Sequence, residues 1–183
     1  ADDVLASGKE VPGVQYVAAT ATDTAVLTAG GTRLFARLQG TDVLYPDMRA
    51  LTLRSGRFFT ARHVADRSPM VVLSSPAAVS LFGAGTDPTG RQVEIRRQMF
   101  TVAGVAARPG GFAASGEAPL PEVYVPYTAM LDLLRITHLH GVALSVHRAG
   151  ESTQVAREVT RLLRARHGLG PDDPDDFTVR TQA

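Results

Sequence analysis

The chain has 183 residues, of which 44% are apolar and 20% are charged, and it contains no cysteine. Its 19 basic and 18 acidic side chains leave a formal net charge of +1, which favours neither nucleic acid nor an anionic membrane as a partner. The lack of cysteine excludes disulfides, thiolate metal sites and cysteine nucleophiles. The length and apolar content suffice for one domain or for two small lobes that share a core.

The first part of the chain predicts a short helix over residues 2–10 and then a β-hairpin. Residues 14–27 are rich in Val, Ala and Thr, and residues 32–38 alternate in polarity. Gly30 and Gly31 stand between the two stretches, where they suit a tight turn. The alternation places two sets on opposite faces of the second strand: Leu34, Ala36 and Leu38 on one, and Arg33, Phe35 and Arg37 on the other.

The stretch from Leu53 to Val105 predicts a compact α/β unit: a turn, a buried strand, a short helix, a Pro-Gly turn and a hairpin. For the helix, Ser75 is the predicted N-cap, Pro76 the first residue and Gly83 the stop. The segments that carry the prediction are Gly56-Arg57-Phe58-Phe59, Met70-Val71-Val72-Leu73, Leu81-Phe82-Gly83, Asp87-Pro88-Thr89-Gly90, Val93-Glu94-Ile95 and Val102-Ala103-Gly104-Val105.

Proline and glycine make residues 108–121 a predicted loop, and regular elements follow it. The longest is a helix over Ser152 to His167, with apolar residues at helical spacing and Gly168 after it. The others are a strand over Val123 to Val125, a helix capped by Thr128, a strand over Leu139 to Val146 and a last strand over Phe177 to Thr181.

The order and spacing of these segments resemble the extracytoplasmic core domain of MacB-type ABC transporter permeases. Three further segments extend the resemblance over nearly the whole chain: Pro12-Gly13-Val14, Val123-Tyr124-Val125-Pro126 and Asp175-Asp176-Phe177-Thr178-Val179. The resemblance implies a domain between the first and second membrane helices of a permease, on the extracytoplasmic face of the cell membrane.

The predicted fold class is α+β with two lobes. Residues 1–51 and 122–183, from both chain ends, are predicted to form a porter-like, ferredoxin-like split βαβ sandwich. Residues 52–121 are predicted to form a small α/β lobe inserted into it.

Two sets of side chains are candidates for an interaction surface or a cleft. Phe58 and Phe59 follow the glycine turn and fit core anchors, although either ring could line a cleft between the lobes. Phe112 lies in the proline-rich loop, which is long enough to be either functional or disordered. Arg157, Arg161 and Arg164 share one face of the last helix, which suits either solvent or a docking partner.

No catalytic, cofactor or metal site is predicted, although several patterns invite one. The Gly83 to Gly90 segment follows a helix and lacks a Gly-Lys-Ser/Thr, so it predicts a turn rather than a phosphate loop. Ser74, Ser75, His63 and Asp66 lack the Gly-x-Ser-x-Gly elbow of a serine hydrolase. Zinc binding by His138, His140 and His147 is disfavoured, because no further ligand stands at a recognised spacing. Calcium binding is disfavoured because the glycine and the distal glutamate of an EF-hand loop are missing around the aspartates Asp172, Asp173, Asp175 and Asp176.

The resemblance implies a non-catalytic domain that transmits ATP-driven movement across the membrane for efflux or extraction of a substrate. The implied partners are the protein's own membrane helices, a second permease copy or paralogue, a cytosolic ATP-binding subunit and a periplasmic-adaptor-type protein. No cofactor and no nucleic acid are implied. Two alternatives stay open, a stand-alone extracytoplasmic ligand-binding domain and a serine hydrolase.

Overall fold

The computed structural model describes residues 14–107, 120–134, 141–146, 152–167 and 179–182. Nine strands are described: β1 Val14–Ala29, β2 Thr32–Thr41, β3 Thr52–Gly56, β4 Met70–Ser74, β5 Gln92–Ile95, β6 Gln98–Ala107, β7 Glu122–Pro126, β8 Gly141–Val146 and β9 Val179–Gln182. Five helices are described: α1 Tyr45–Met48, α2 Ala61–Ala65, α3 Ser75–Phe82, α4 Tyr127–Leu134 and α5 Ser152–His167. None of these helices has the length and apolar character needed to cross a lipid bilayer.

The chain divides into two compact units, residues 21–138 and residues 1–20 with 139–183. In the first unit, β2 pairs with β7, β7 with β4, β4 with β6, β6 with β5, β5 with β1 and β1 with β2. These pairings link six strands into a closed ring, which leaves none of the six as a free edge. Strand β3 pairs with the last residues of β6.

One apolar cluster holds this unit together. It takes buried side chains from every strand of the ring and from helices α3 and α4. Gly40 on β2 allows α4 to come close, because a Cβ there would lie 2.6 Å from the sulfur of Met130. The largest members with no exposed surface are Leu27, Leu38, Leu73, Ile95, Phe100 and Met130.

The second unit contains a strand, helix, strand arrangement. The start of β1 pairs antiparallel with β8, from Val14 opposite Val146 to Thr20 opposite Gly141. Strand β8 pairs parallel with β9, and α5 connects them as a crossover helix. Val155 and Val159, one turn apart on α5, are buried. The described chain is therefore a mixed fold of strands and a few helices.

Most predicted elements are confirmed, with shifts of up to three residues at their ends. The hairpin around Gly30 and Gly31 and the helix from Ser152 to His167 are present as predicted. The predicted helix over residues 2–10 lies outside the described residues, as does most of the predicted loop from 108 to 121.

Three local predictions were wrong. Thr128 was predicted to cap a helix, but α4 begins before it, at Tyr127, and the Thr128 hydroxyl donates instead to the carbonyl of Val64. Residues 53–56 were expected in a turn, but Thr52–Gly56 forms strand β3 because it pairs with the distant β6. The N-cap of α3 is Ser74 rather than Ser75, because the Ser74 hydroxyl accepts the Ala77 amide at 3.4 Å.

The lobe boundaries at residues 52 and 121 stay a prediction. The contact-defined units end elsewhere, at residues 20 and 138. The two strands β4 and β7 fall in the same unit because they hydrogen-bond to each other, although β4 was predicted in the inserted lobe and β7 in the outer lobe.

Candidate functional site

An aromatic cluster lies on the face of the sheet opposite the main apolar cluster. Tyr124 on β7 contributes its ring there, while its neighbours Val123 and Val125 point into the main cluster. The Tyr124 ring centroid is 5.7 Å from that of Tyr45 on α1 and 6.3 Å from that of Phe58. Phe58 and Phe59 lie with ring centroids 4.1 Å apart. The segments that contain Tyr45 and Phe58 therefore fold back over the sheet.

Hydrogen bonds fix the polar ends of this aromatic cluster. The Tyr124 hydroxyl donates to the carboxylate of Glu122 at 2.8 Å. Arg49 donates from Nε to the Tyr45 hydroxyl at 3.1 Å, and its guanidinium lies 5.5 Å from the centre of that ring. Phe59 is only 2% exposed, whereas Phe58 is half-buried. Phe59 thus lies in the core, and of the two phenylalanines only Phe58 offers substantial ring surface for an interaction.

Two glycines of the segments that carry the resemblance lie opposite each other on strands β3 and β6. Gly56 and Gly104 are partners in the pairing register. A Cβ at Gly56, whose φ is +64°, would lie 2.2 Å from the carbonyl oxygen of Ala103. A Cβ at Gly104 would lie 2.7 Å from the carbonyl oxygen of Ser55. Glycine at both positions is therefore required by backbone approach, which gives a structural reason for these two motif residues.

The Asp87-Pro88-Thr89-Gly90 motif forms a hydrogen-bonded turn that reaches β3. The Asp87 carboxylate accepts the Thr89 hydroxyl at 2.7 Å and the Thr89 amide at 3.0 Å. Together with a hydrogen bond from the Ser55 side chain, these contacts hold the pKa of Asp87 below its ordinary value. By contrast, burial raises the pKa of Asp42, although the Leu44 amide donates to its carboxylate at 2.9 Å.

We expect Asp87→Asn to destabilise the protein at neutral pH, and the difference from wild type to vanish in acid. The folded-state pKa of Asp87 is lowered, so its stabilisation is present above the unfolded-state pKa and is lost as pH falls through the folded value. The stability difference between wild type and Asp87→Asn is therefore lost below about pH 4. Urea unfolding of both proteins at a series of pH values measures the difference in their free energies of unfolding.

Glu94→Gln is the matched control, because it removes an exposed carboxylate that accepts no hydrogen bond in the described part of the chain. Its effect should be small throughout the series. A difference between Asp87→Asn and wild type that persists undiminished at the lowest pH would contradict the assignment.

The predicted arginine surface occupies the outer face of α5. Arg157 and Arg161 are exposed and Arg164 is partly exposed, opposite the buried Val155 and Val159. Whether this face docks a partner stays a prediction, as does an interaction role for Phe58 and Phe59. Phe112 lies outside the described residues.

The exposed aromatic ring of Phe35 on β2 was not among the candidate surface residues. The signal was present, since Phe35 falls on the polar side of the strand's alternation, between Arg33 and Arg37. Four other large apolar side chains are also exposed: Val26, Leu53, Val79 and Met99.

The side chains considered for hydrolysis are engaged elsewhere. His63 accepts the Thr60 amide through Nδ1 at 3.2 Å, and the Ser75 hydroxyl donates to the carbonyl of Ala106 at 3.2 Å. Asp66 pairs with Arg62, a neighbour on α2, at 3.3 Å. No serine to histidine hydrogen bond occurs within the described ranges.

Metal ligation finds no support in the part of the chain that the structure describes, where no three His, Asp or Glu side chains come together as ligands. The histidines and the aspartate-rich turn were predicted not to bind metal. They lie outside the described residues: His138, His140, His147, Asp172, Asp173, Asp175 and Asp176.

Comparison with known proteins places the chain in a family. The model of the MacB-like periplasmic core domain matches residues 1–162. The chain is 34% identical over 144 residues to the macrolide export ATP-binding/permease protein MacB of Chlorobaculum tepidum, covering 78% of this chain and 22% of that protein. It is 31% identical over 169 residues to MacB of Bordetella avium, covering 92% and 25%. The chain spans about a quarter of the length of these relatives.

Solved structures show the same fold. The extracellular domain of the noncanonic ABC-type transporter YknZ from Gram-positive bacteria superposes with a TM-score of 0.76 at 25% identity, covering 92% of this chain and 84% of that one. The periplasmic region of MacB from Actinobacillus actinomycetemcomitans superposes with a TM-score of 0.73 at 24% identity, covering 92% and 74%.

The fold and the family model together define the class, an extracytoplasmic domain of an ABC transporter permease. The chain belongs to the MacB-like periplasmic core domain family. The resemblance predicted from the motifs is thereby confirmed.

Proposed function

We propose that this chain transmits ATP-driven movement to the extracytoplasmic side of the membrane, as a non-catalytic part of a MacB-like ABC permease. The observation that carries the proposal is the family match over residues 1–162. The relatives that it matches are named as macrolide export ATP-binding/permease proteins, and the chain covers 22% and 25% of their lengths.

The architecture supports a mechanical role. Each of the two units has its own strand pairing, and the single strand Val14–Ala29 contributes to both. The ferredoxin-like arrangement of the lobe from both chain ends stays a proposal, because β8 and β9 pair directly with each other and no strand lies between them, as a split βαβ unit would require.

The proposed partners follow from this role. They are membrane helices that flank the domain in the permease, a second permease copy or paralogue and a cytosolic ATP-binding subunit or domain. A periplasmic-adaptor-type protein completes the set. We place the domain on the extracytoplasmic face of the cell membrane, where it helps to export or extract a substrate.

Expression of the complete gene that encodes this chain tests the proposal. The full-length product should stay with the membrane pellet after carbonate extraction and should purify with ATPase activity, its own or that of a subunit. The isolated 183-residue chain should hydrolyse neither ATP nor ester substrates. A full-length product that is released into the soluble fraction, or hydrolysis by the isolated chain that survives repurification, would refute it.

A further inference from the structure

An apolar pair lies exposed on the outer face of the β1–β2 hairpin. Phe35 is 52% exposed and Val26 is 39% exposed. Two turn residues, Gly30 and Gly31, separate the strands, so counting back from the turn places Val26 opposite Phe35. A hydrogen bond of 2.8 Å from the Thr22 hydroxyl to the Gln39 side chain fits the same register. The two apolar side chains therefore form one cross-strand patch.

Two positive charges border this patch. Arg33 and Arg37 lie two residues before and after Phe35 on β2, so all three side chains point to the same face. Both arginines are exposed, and neither forms an ion pair within the described residues. We define the hairpin patch as Val26, Arg33, Phe35 and Arg37.

The composition of the hairpin patch is that of a protein contact surface. Aromatic residues and arginine are the types enriched at interfaces and at their energetic centres. A half-exposed phenylalanine ring regains favourable burial only when another surface covers it. The pattern differs from that of Val79 on α3, which is 51% exposed on a helix without charged residues.

We propose that the hairpin patch docks a partner protein whose surface presents an apolar recess bordered by carboxylates. Two arginines flanking one ring select a partner of opposite charge, because like charges placed in contact are costly. The same repulsion disfavours a second copy of this chain docked patch to patch. The inference adds a contact site to the proposed function and rests on it only in placing this face outside the membrane.

Photo-crosslinking in living cells tests the contact with the full-length protein. Phe35 is replaced by p-benzoylphenylalanine, which retains an aromatic ring, and Val79 is replaced in the same way as a control of equal exposure. We expect one protein adduct at position 35 and none at position 79. The crosslinked partner peptide should lie next to Asp or Glu residues, as mass spectrometry would show.

Charge reversal then tests the recognition chemistry. Arg33→Glu with Arg37→Glu should lower the yield of the adduct by about tenfold or more, and reversal of the partner's carboxylates to arginine should restore it. The melting temperature of the doubly substituted chain shows that it is folded.

The proposal is overturned by equal yields at positions 35 and 79, or by a yield that is insensitive to charge reversal. Adducts with phospholipid or with a second copy of this chain would overturn it as well. The specified adduct in a full-length product that is not membrane-bound would support the contact and refute only the proposed function.

Discussion

Gly56→Ala is expected to lower the free energy of unfolding by about 2–5 kcal/mol. Two costs add at this position. The backbone has φ of +64°, which side chains other than glycine rarely adopt, and the new methyl group would lie 2.2 Å from a backbone oxygen of β6. A backbone oxygen in a strand cannot rotate away as a flexible side chain would. Urea unfolding of the isolated chain measures the loss.

Gly83→Ala separates the two costs. Gly83 ends α3 with φ of +89°, and a Cβ there would have no neighbour within 4 Å. It should therefore lose only the conformational part, about 1–2 kcal/mol. If Gly56→Ala and Gly83→Ala were equally destabilised, the close approach of β3 to β6 at Gly104 would be contradicted.

Phe59→Ala is expected to cost about 3–5 kcal/mol, because it empties the space of a fully buried ring in the aromatic cluster. The half-buried Phe58 is the matched comparison, and Phe58→Ala should cost about 1–2 kcal/mol. Denaturant unfolding of both variants ranks them, and the reverse order would contradict the burial of Phe59.

Hydrogen exchange on Phe59→Ala also tests the division of the chain. Protection should fall in β4 and β7, which carry Val72 and Tyr124 of the same cluster. The helix α5 belongs to the other unit, so Val155 and Val159 should keep most of their protection. Uniform loss of protection in both units would show one cooperative core.

Local signals in the sequence sufficed for elements whose stability is local. The glycine pair at Gly30 and Gly31 predicts the hairpin by itself, since positive φ is needed at both positions. The helix from Ser152 to His167 was predicted at its observed length because apolar periodicity and a terminal glycine coincide.

Long-range pairing could not be predicted in this way. Strand β3 has mostly exposed side chains, so its residues lack the alternation that marks a strand, and only hydrogen bonds to β6 define it. The closed ring depends on parallel pairing of β2 with β7, from Arg37 opposite Glu122 to Thr41 opposite Pro126. No local pattern encodes the partner of a strand that lies so far along the chain.

The candidate surfaces could be predicted only in part, because they too depend on which strands pair. Of the two roles considered for Phe59, the core role is confirmed by its burial, whereas a role in a cleft stays a prediction. Phe35 was placed on the same strand face as Arg33 and Arg37, and its neighbour Val26 across the hairpin became evident only from the register. The hairpin patch thus emerges from pairing and exposure together.

The distance between a spin label on this domain and a second label at the end of a membrane helix tests the central claim most directly. Ser80, exposed on α3, is a suitable site, since this chain has no cysteine of its own. The complete transporter, in lipid nanodiscs, is compared without nucleotide, with ATP and after vanadate trapping. Transmission of movement predicts distance distributions that shift between these states. Distributions that superpose in all three, from a preparation that hydrolyses ATP, would contradict it.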